Sequence, residues 1–217
     1  MWHDGLFEVL EKEYDQEQSQ KMSAYMKNMF EFLGIPKPRL TELTKPYYKA
    51  CKKEPFDWNF VSECWKKTYR EEQYVGIGYM KLFASKFTDK DLPKLEYFIT
   101  HKSWWETVDS IDEMVGIIVM KYTALEKTML EWSVAENMWL RRVAIDFQQR
   151  FKEKTNTKLL EKILCSNFGS SEFFINKAIG WSLREYSKVN PEWVRKFIEK
   201  NENSMSKLSV REGSKYI

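Results

Sequence analysis

Residues 103–120 read SWWETVDSIDEMVGIIVM, and the prediction of the fold starts from the pattern of these residues. Its apolar side chains recur every three or four positions, which is the spacing of one face of an α-helix. The residues on that face are Trp104, Val108, Ile111, Val115 and Ile118. Such a stripe is typical of a helix packed on a core, so we expect Trp104 to be a core residue. The alternation typical of strands is scarce elsewhere in the chain, which predicts an all-α protein.

The helical pattern returns at a fixed interval. A small residue followed by Ile occurs four times, always 34 residues apart, at Gly76-Ile77, Ser110-Ile111, Ala144-Ile145 and Ala178-Ile179. In three copies a residue suited to the N-cap leads the helix, and these residues are Ser103, Asn137 and Ser171. A period of 34 with two helices per unit is typical of an α-solenoid. We predict one domain over residues 1–217, built of stacked helix pairs with a concave binding face.

Composition narrows the function classes. The chain has 217 residues, of which 43% are hydrophobic, and its formal net charge is +3. Residues 139–217 hold 16 basic and nine acidic side chains, an excess that indicates an anionic partner such as nucleic acid, although an ordinary lysine-rich surface explains it about as well. There is no run of about 18 apolar residues that would span a membrane. We therefore expect a soluble, cytoplasmic protein.

Metal and cofactor chemistry find little support. The three cysteines are widely spaced and the two histidines lie far apart, so neither set has the spacing of metal ligands. No glycine-rich loop suited to a nucleotide phosphate is present. We predict a protein without metal or cofactor.

Two helix faces carry residues that packing does not require. Trp105 falls outside the apolar stripe, one turn from Asp109, where the two side chains could act together. On the helix of residues 171–188, a basic stripe runs beside Trp181, and its cations are Lys177, Arg184 and Lys188. Cations beside an aromatic ring suit phosphates and bases or sugars. The alternatives are a half-buried Trp beside a solvated acid, and basic side chains that merely cover a packed Trp.

The repeat between these two helices carries a pair of arginines, Arg141 and Arg142. Leu140, Ala144 and Phe147 suit the core, which leaves both arginines free by this interpretation. If the repeats are regular, the three helix faces line one groove, with basic walls around a centre of Trp and Asp.

The longer motifs resemble those of the AlkD-type DNA alkylation repair enzymes, which are alkylpurine DNA glycosylases built of HEAT-like repeats. The matching motifs are Ala24-Tyr25-Met26-Lys27-Asn28, Lys102-Ser103-Trp104-Trp105, Val108-Asp109-Ser110, Trp139-Leu140, Lys177-Ala178-Ile179-Gly180-Trp181 and Leu183-Arg184-Glu185-Tyr186. The resemblance covers nearly the whole chain from about residue 20 and is weaker over residues 40–96. It implies hydrolysis of the glycosidic bond of purines alkylated at N3 or N7, in double-stranded DNA, without a base-binding pocket. We also expect a monomer, as for a short solenoid that grips a duplex.

The resemblance also implies roles for individual residues. Asp109 would stabilise the positive charge that develops on the sugar, while Trp105 and Trp181 would contact the damaged nucleotide. Arg142 would hold a DNA phosphate, and Tyr25 would help to grip the duplex. The alternative function is a non-catalytic HEAT-like scaffold that binds nucleic acid or protein, because a fold survives the loss of its chemistry.

Overall fold

The computed structural model describes residues 1–217 and contains thirteen α-helices. The only β structure is an isolated parallel bridge between Glu31 and Tyr69. The prediction of an all-α protein is confirmed. The chain divides into two compact units, Met1–Ser85 and Lys86–Ile217. No helix combines the length with the apolar composition that crossing a bilayer requires.

The amino-terminal unit contains five helices, which are α1 (Leu6–Glu11), α2 (Gln16–Tyr25), α3 (Lys37–Cys51), α4 (Trp58–Lys66) and α5 (Arg70–Phe83). A buried carboxylate on α5 organises the segment that joins α2 to α3. Glu71 accepts hydrogen bonds from the backbone N–H groups of Leu33, Gly34 and Ile35, at 2.9 to 3.0 Å. Gly34 has a φ of 89°, which favours glycine. This turn therefore depends on one buried acid and one glycine.

The carboxy-terminal unit contains eight helices, which are α6 (Leu92–Thr100), α7 (Trp105–Lys121), α8 (Glu126–Trp132), α9 (Met138–Asp146), α10 (Thr157–Cys165), α11 (Phe173–Ser187), α12 (Pro191–Asn201) and α13 (Lys207–Gly213). Alternate helices pack in series, because α7 packs on α9, α9 on α11, and α11 on α13. This arrangement is that of the α-solenoid class, as the period of 34 predicts. The core side chains of α7 at positions 108, 111, 115 and 118 are fully buried.

Details of the helix ends differ from the sequence analysis. Asn137 is the N-cap of α9, and its side chain accepts hydrogen bonds from the N–H groups of Trp139 and Leu140. The caps of α7 and α11 lie one residue later than expected, at Trp104 and Glu172. Trp104 is half-buried rather than a full core residue, since it stands at the helix end.

Glycines allow the closest helix contacts of the carboxy-terminal unit. A Cβ atom on Gly116 would lie 2.5 Å from the carbonyl oxygen of Phe147, and one on Gly180 would lie 2.5 Å from Cβ of Glu212. These contacts join α7 to the end of α9 and α11 to α13. The glycines thereby bring neighbouring repeats close enough for their polar side chains to meet.

Candidate functional site

Three stacked helices of the carboxy-terminal unit contribute one group of polar and aromatic side chains. Asp109 lies in the second turn of α7, Arg142 in the second turn of α9, and Trp181 in the middle of α11. Because equivalent helices begin about 34 residues apart, side chains distant in sequence become neighbours across the stack.

A bidentate ion pair joins Asp109 to Arg142. Nε and Nη2 of Arg142 donate to the two carboxylate oxygens of Asp109 at 2.7 and 2.8 Å, and Nη1 donates to the carbonyl oxygen of Phe174 at 2.7 Å. The Asp109 side chain is 25% exposed, whereas that of Arg142 is only 2% exposed. The paired bonds hold the Asp109 carboxylate in one orientation.

The burial of Arg142 corrects one sequence prediction. The interpretation that the core residues of α9 leave both arginines free is wrong for Arg142, which lies inside the helix stack. Its guanidinium is committed to Asp109 and to Phe174. Arg141, next to it, is half-buried. An arginine side chain can extend to a buried carboxylate as readily as it can extend into solvent. The sequence alone does not distinguish these two directions.

Two further carboxyl groups accompany this pair. Carboxylate oxygens of Asp109, Asp112 and Asp146 all lie within 4.8 Å of one another. Asp146 is fully buried on α9, its carboxylate lies 3.9 Å from Nε of Arg142, and it accepts a 2.6 Å hydrogen bond from Gln149. With a guanidinium already in this group, its charge does not call for a metal ion, and the expectation of a metal-free protein stays a prediction.

Burial and mutual repulsion perturb the titration of these acids. Burial, assisted by the carboxylates of Asp146 and Asp109, raises the pKa of Asp112 well above its usual range. Burial also raises the pKa of Asp146, to about 7, although the Arg142 guanidinium acts in the opposite direction. Burial acts to lower the pKa of Arg142, but Asp146 and Asp109 outweigh it and raise that pKa above its ordinary value. The arginine therefore stays charged, and burial favours the protonated forms of Asp112 and Asp146.

The sequence analysis missed Asp112 and Asp146, although a signal for them exists. The two residues are 34 positions apart, and Gly78 and Gly180 stand one period before and after them. Equivalent positions of adjacent repeats lie side by side in a solenoid. Two acids at equivalent positions therefore predict a carboxylate pair between α7 and α9.

A cavity of about 270 Å³ opens beside the acids. Its polar lining includes Asp109, Asp112 and Asp146, together with Arg150, which forms an ion pair with Glu113. Its lining also includes aromatic and apolar side chains, which are Ile117, Met120, Phe147, Phe151 and Trp181. The cavity lining thus combines acidic side chains with aromatic ones.

Three cations surround the Trp181 ring. The guanidinium carbons of Arg142 and Arg184 lie 5.4 and 5.6 Å from the ring centre, and Nζ of Lys177 lies 5.4 Å from it. These contacts fix the indole through cation–π attraction. Arg184 also pairs with Glu212 on α13 at 3.2 Å. The predicted basic stripe beside Trp181 therefore exists, and part of its charge is balanced by α13.

The remaining candidate residues take separate places. Trp105 is half-buried at the first position of α7, one turn before Asp109. Lys188 is exposed near the end of α11, where it pairs with Glu185 and lies 5.5 Å from the ring centre of Tyr216. Tyr25, at the end of α2 in the amino-terminal unit, is 69% exposed.

Comparisons with known proteins agree with this architecture. A family model described as DNA alkylation repair enzyme matches residues 6–217. A solved structure of a predicted DNA alkylation repair enzyme from Enterococcus faecalis superposes with a TM-score of 0.86 and 39% sequence identity. That similarity covers 94% of this chain and 96% of the other chain. A search of curated proteins finds no match.

Proposed function

This chain belongs to the family of DNA alkylation repair enzymes, and we propose that it is a monofunctional DNA glycosylase. Its substrates are purines made cationic by alkylation at N3 or N7, such as 3-methyladenine and 7-methylguanine, in double-stranded DNA. The observation that carries the proposal is the partly exposed Asp109 carboxylate, held by Arg142 in the lining of a cavity that Trp181 also lines. We further propose that one molecule acts alone, without metal or cofactor, in the cytoplasm.

The chemistry needs few groups because the substrate is already activated. Alkylation at N3 or N7 places a positive charge on the base, which then leaves as a neutral molecule without a general acid. The sugar acquires positive charge as the glycosidic bond breaks, and a water molecule completes the substitution. A carboxylate fixed beside the anomeric carbon stabilises that charge, an effect commonly worth several kcal/mol in a preorganised site. Asp109 takes this role.

The aromatic and basic side chains supply binding. Trp181 stands beside Asp109 in the cavity and offers its ring to the sugar of the damaged nucleotide, and Trp105 offers a second ring one turn away on α7. Phosphates are contacted by the cations of the basic stripe with Arg141, so that the set is Arg141, Lys177, Arg184 and Lys188. The exposed Tyr25 provides a contact from the amino-terminal unit. Arg142 acts on Asp109 in place of the phosphate contact that the family resemblance implies.

The test is single-turnover excision of 7-methylguanine from a defined duplex at pH 8. We expect release by the wild type and a loss of at least about a hundredfold in Asp109→Asn, because the developing charge loses its partner. DNA affinity should change by less than a few-fold, since the exchange keeps the shape of the side chain. The matched control is Glu153→Gln, which removes an exposed carboxylate away from the cavity. Equal excision by wild type and Asp109→Asn would refute the role of Asp109.

One observation favours a second candidate function. Both carboxylate oxygens of Asp109 accept hydrogen bonds from Arg142, so the pair carries no net charge of its own. A protein with this pair could bind alkylated DNA without cleaving the glycosidic bond. Tight binding of the lesion-bearing duplex by the wild type, without release of the base, would support this non-catalytic function over the glycosylase.

A further inference from the structure

The pairing of Asp109 raises a question of charge. Its carboxylate and the Arg142 guanidinium form two hydrogen bonds, so together they are neutral. The proposed reaction develops positive charge beside this pair, and a neutral pair stabilises a cation much less than a free carboxylate does. A second negative charge close to the guanidinium would restore the negative potential of the site.

Asp146 stands where such a charge is needed. It lies one helical turn after Arg142 on α9, with its side chain only 1% exposed and its oxygen 3.9 Å from Nε. Its other oxygen accepts a hydrogen bond from Gln149, which fixes the carboxyl group. Asp146 also lines the same cavity as Asp109. Burial in this position is costly for a carboxylate that only supports the fold.

We propose that Asp146 is a positioning residue that acts through Arg142, sharing its positive charge so that Asp109 keeps a net negative potential toward the cavity. This inference rests on the proposed function, since it concerns how the same site stabilises a cationic sugar. The ionised trio of Asp109, Arg142 and Asp146 carries one net negative charge, where the pair alone carries none. Asp112 lies within 4.8 Å of both acids, and burial raises its pKa well above its usual range.

The charged groups around Asp146 set the direction of the pH effect. Asp109 and Asp112 on α7 lie within 4.8 Å of it, and Arg142 on α9 lies 3.9 Å away. Glu113 and Arg150 are the other charged residues that line the same cavity. When Asp146 is protonated, the charge of Arg142 balances only that of Asp109. The trio then has no net charge, and the negative potential of the site is lost. The preference of the site for a cation therefore declines as the pH falls from 8 to 6.

The probe is a pair of duplexes that contain an uncleavable abasic site. One carries a pyrrolidine ring, which is cationic throughout this pH range and resembles the charged sugar, and the other carries neutral tetrahydrofuran. The measured quantity is the ratio of their Kd values, from which general DNA affinity cancels. At pH 8 we expect the wild type to prefer the cationic duplex by about tenfold or more, and Asp146→Asn to lose roughly tenfold of that preference. Its Kd for the neutral duplex should stay within a few-fold.

Controls distinguish the loss of the Asp146 charge from misfolding and from a general change in the charge of the protein. Glu153→Gln removes one exposed carboxylate outside this cavity and should keep the wild-type ratio. The wild-type ratio should fall between pH 8 and pH 6, whereas that of Asp146→Asn should not change.

The outcomes are distinguishable from those of the excision assay. An unchanged ratio in a folded Asp146→Asn overturns the inference even if the wild type excises 7-methylguanine. A wild type that prefers the cationic duplex through Asp146 but releases no base supports the inference and refutes the glycosylase. Equal affinity of the wild type for both duplexes, or binding to neither, overturns the inference directly.

Discussion

The variant Arg142→Ala tests whether Arg142 holds the Asp109 carboxylate inside the helix stack or contacts a DNA phosphate. The side chain is 2% exposed, its guanidinium donates twice to Asp109 and once to the carbonyl of Phe174, and Asp146 lies 3.9 Å away. Removal leaves two carboxylates and one backbone carbonyl without their cation inside the helix stack. Breaking a buried ion pair in this way typically costs about 3–5 kcal/mol.

The expected result is a large loss of stability with an unchanged salt dependence of DNA binding. For a chain of this length, about 3–5 kcal/mol corresponds to a fall in Tm of roughly 6–20 °C. The deficit should be smaller at pH 5 than at pH 8, since the abandoned acids then take up protons. The measurements are urea unfolding at both pH values and DNA titrations between 50 and 200 mM salt (about the range in which phosphate contacts dominate).

A phosphate contact gives the opposite pattern. The slope of log K against log salt would fall by about 0.9, and the free energy of unfolding would change by less than about 0.5 kcal/mol. That pattern would refute the role of Arg142 as the residue that holds the Asp109 carboxylate. The matched control is Arg150→Ala, because that arginine is 72% exposed in its pair with Glu113 and should cost about 1 kcal/mol or less.

Three further predictions concern single side chains. Because burial raises the pKa of Asp146 to about 7 in the folded protein, its contribution to the free energy of unfolding is present at low pH and is lost as the pH rises through 7. Urea unfolding should therefore show Asp146→Asn gaining about 1–3 kcal/mol relative to the wild type between pH 5 and pH 8, and a constant difference would contradict the raised pKa. Glu71→Ala leaves three buried backbone N–H groups without an acceptor and should lower the free energy of unfolding by about 3 kcal/mol or more, whereas a loss below about 1 kcal/mol would show that water replaces the carboxylate. Gly34→Ala combines a positive φ with a Cβ only 2.5 Å from the backbone oxygen of Asp15, so its Tm should fall further than that of Gly169→Ala, which has a similar φ and open space around its Cβ. Equal melting temperatures of the two variants would remove the steric part of this argument.

Much of the fold was predictable because it depends on local spacing. The stripe of Val108, Ile111 and Ile118 marks one face of a helix whatever lies opposite, and all three residues are buried in the structure. The period of 34 likewise predicts the serial packing of α7, α9 and α11. The single domain over residues 1–217 and the DNA-contacting residues stay predictions, since neither is tested by the packing of the helices.

Less of the candidate site was predictable. Asp109 and Trp181 were identified from faces of their helices that packing does not need, and the structure brings both to one cavity. The direction of the Arg142 side chain could not be predicted, because a long flexible side chain reaches solvent or a buried acid equally well from the same helix position. The sequence interpretation therefore placed it at the surface, while the structure places it inside.

The pattern of residues along the chain was enough to predict the helices, their repeat period, and the family to which their motifs point. The contacts between charged side chains follow from the packing of the helices, which pairs Arg142 with Asp109 and puts Asp146 3.9 Å from Arg142. Helical periodicity depends on residues that are close together in the sequence, so it can be recognised from the sequence alone. The balance of a buried charge group depends on distances between side chains about 34 positions apart, and on the exclusion of water around them.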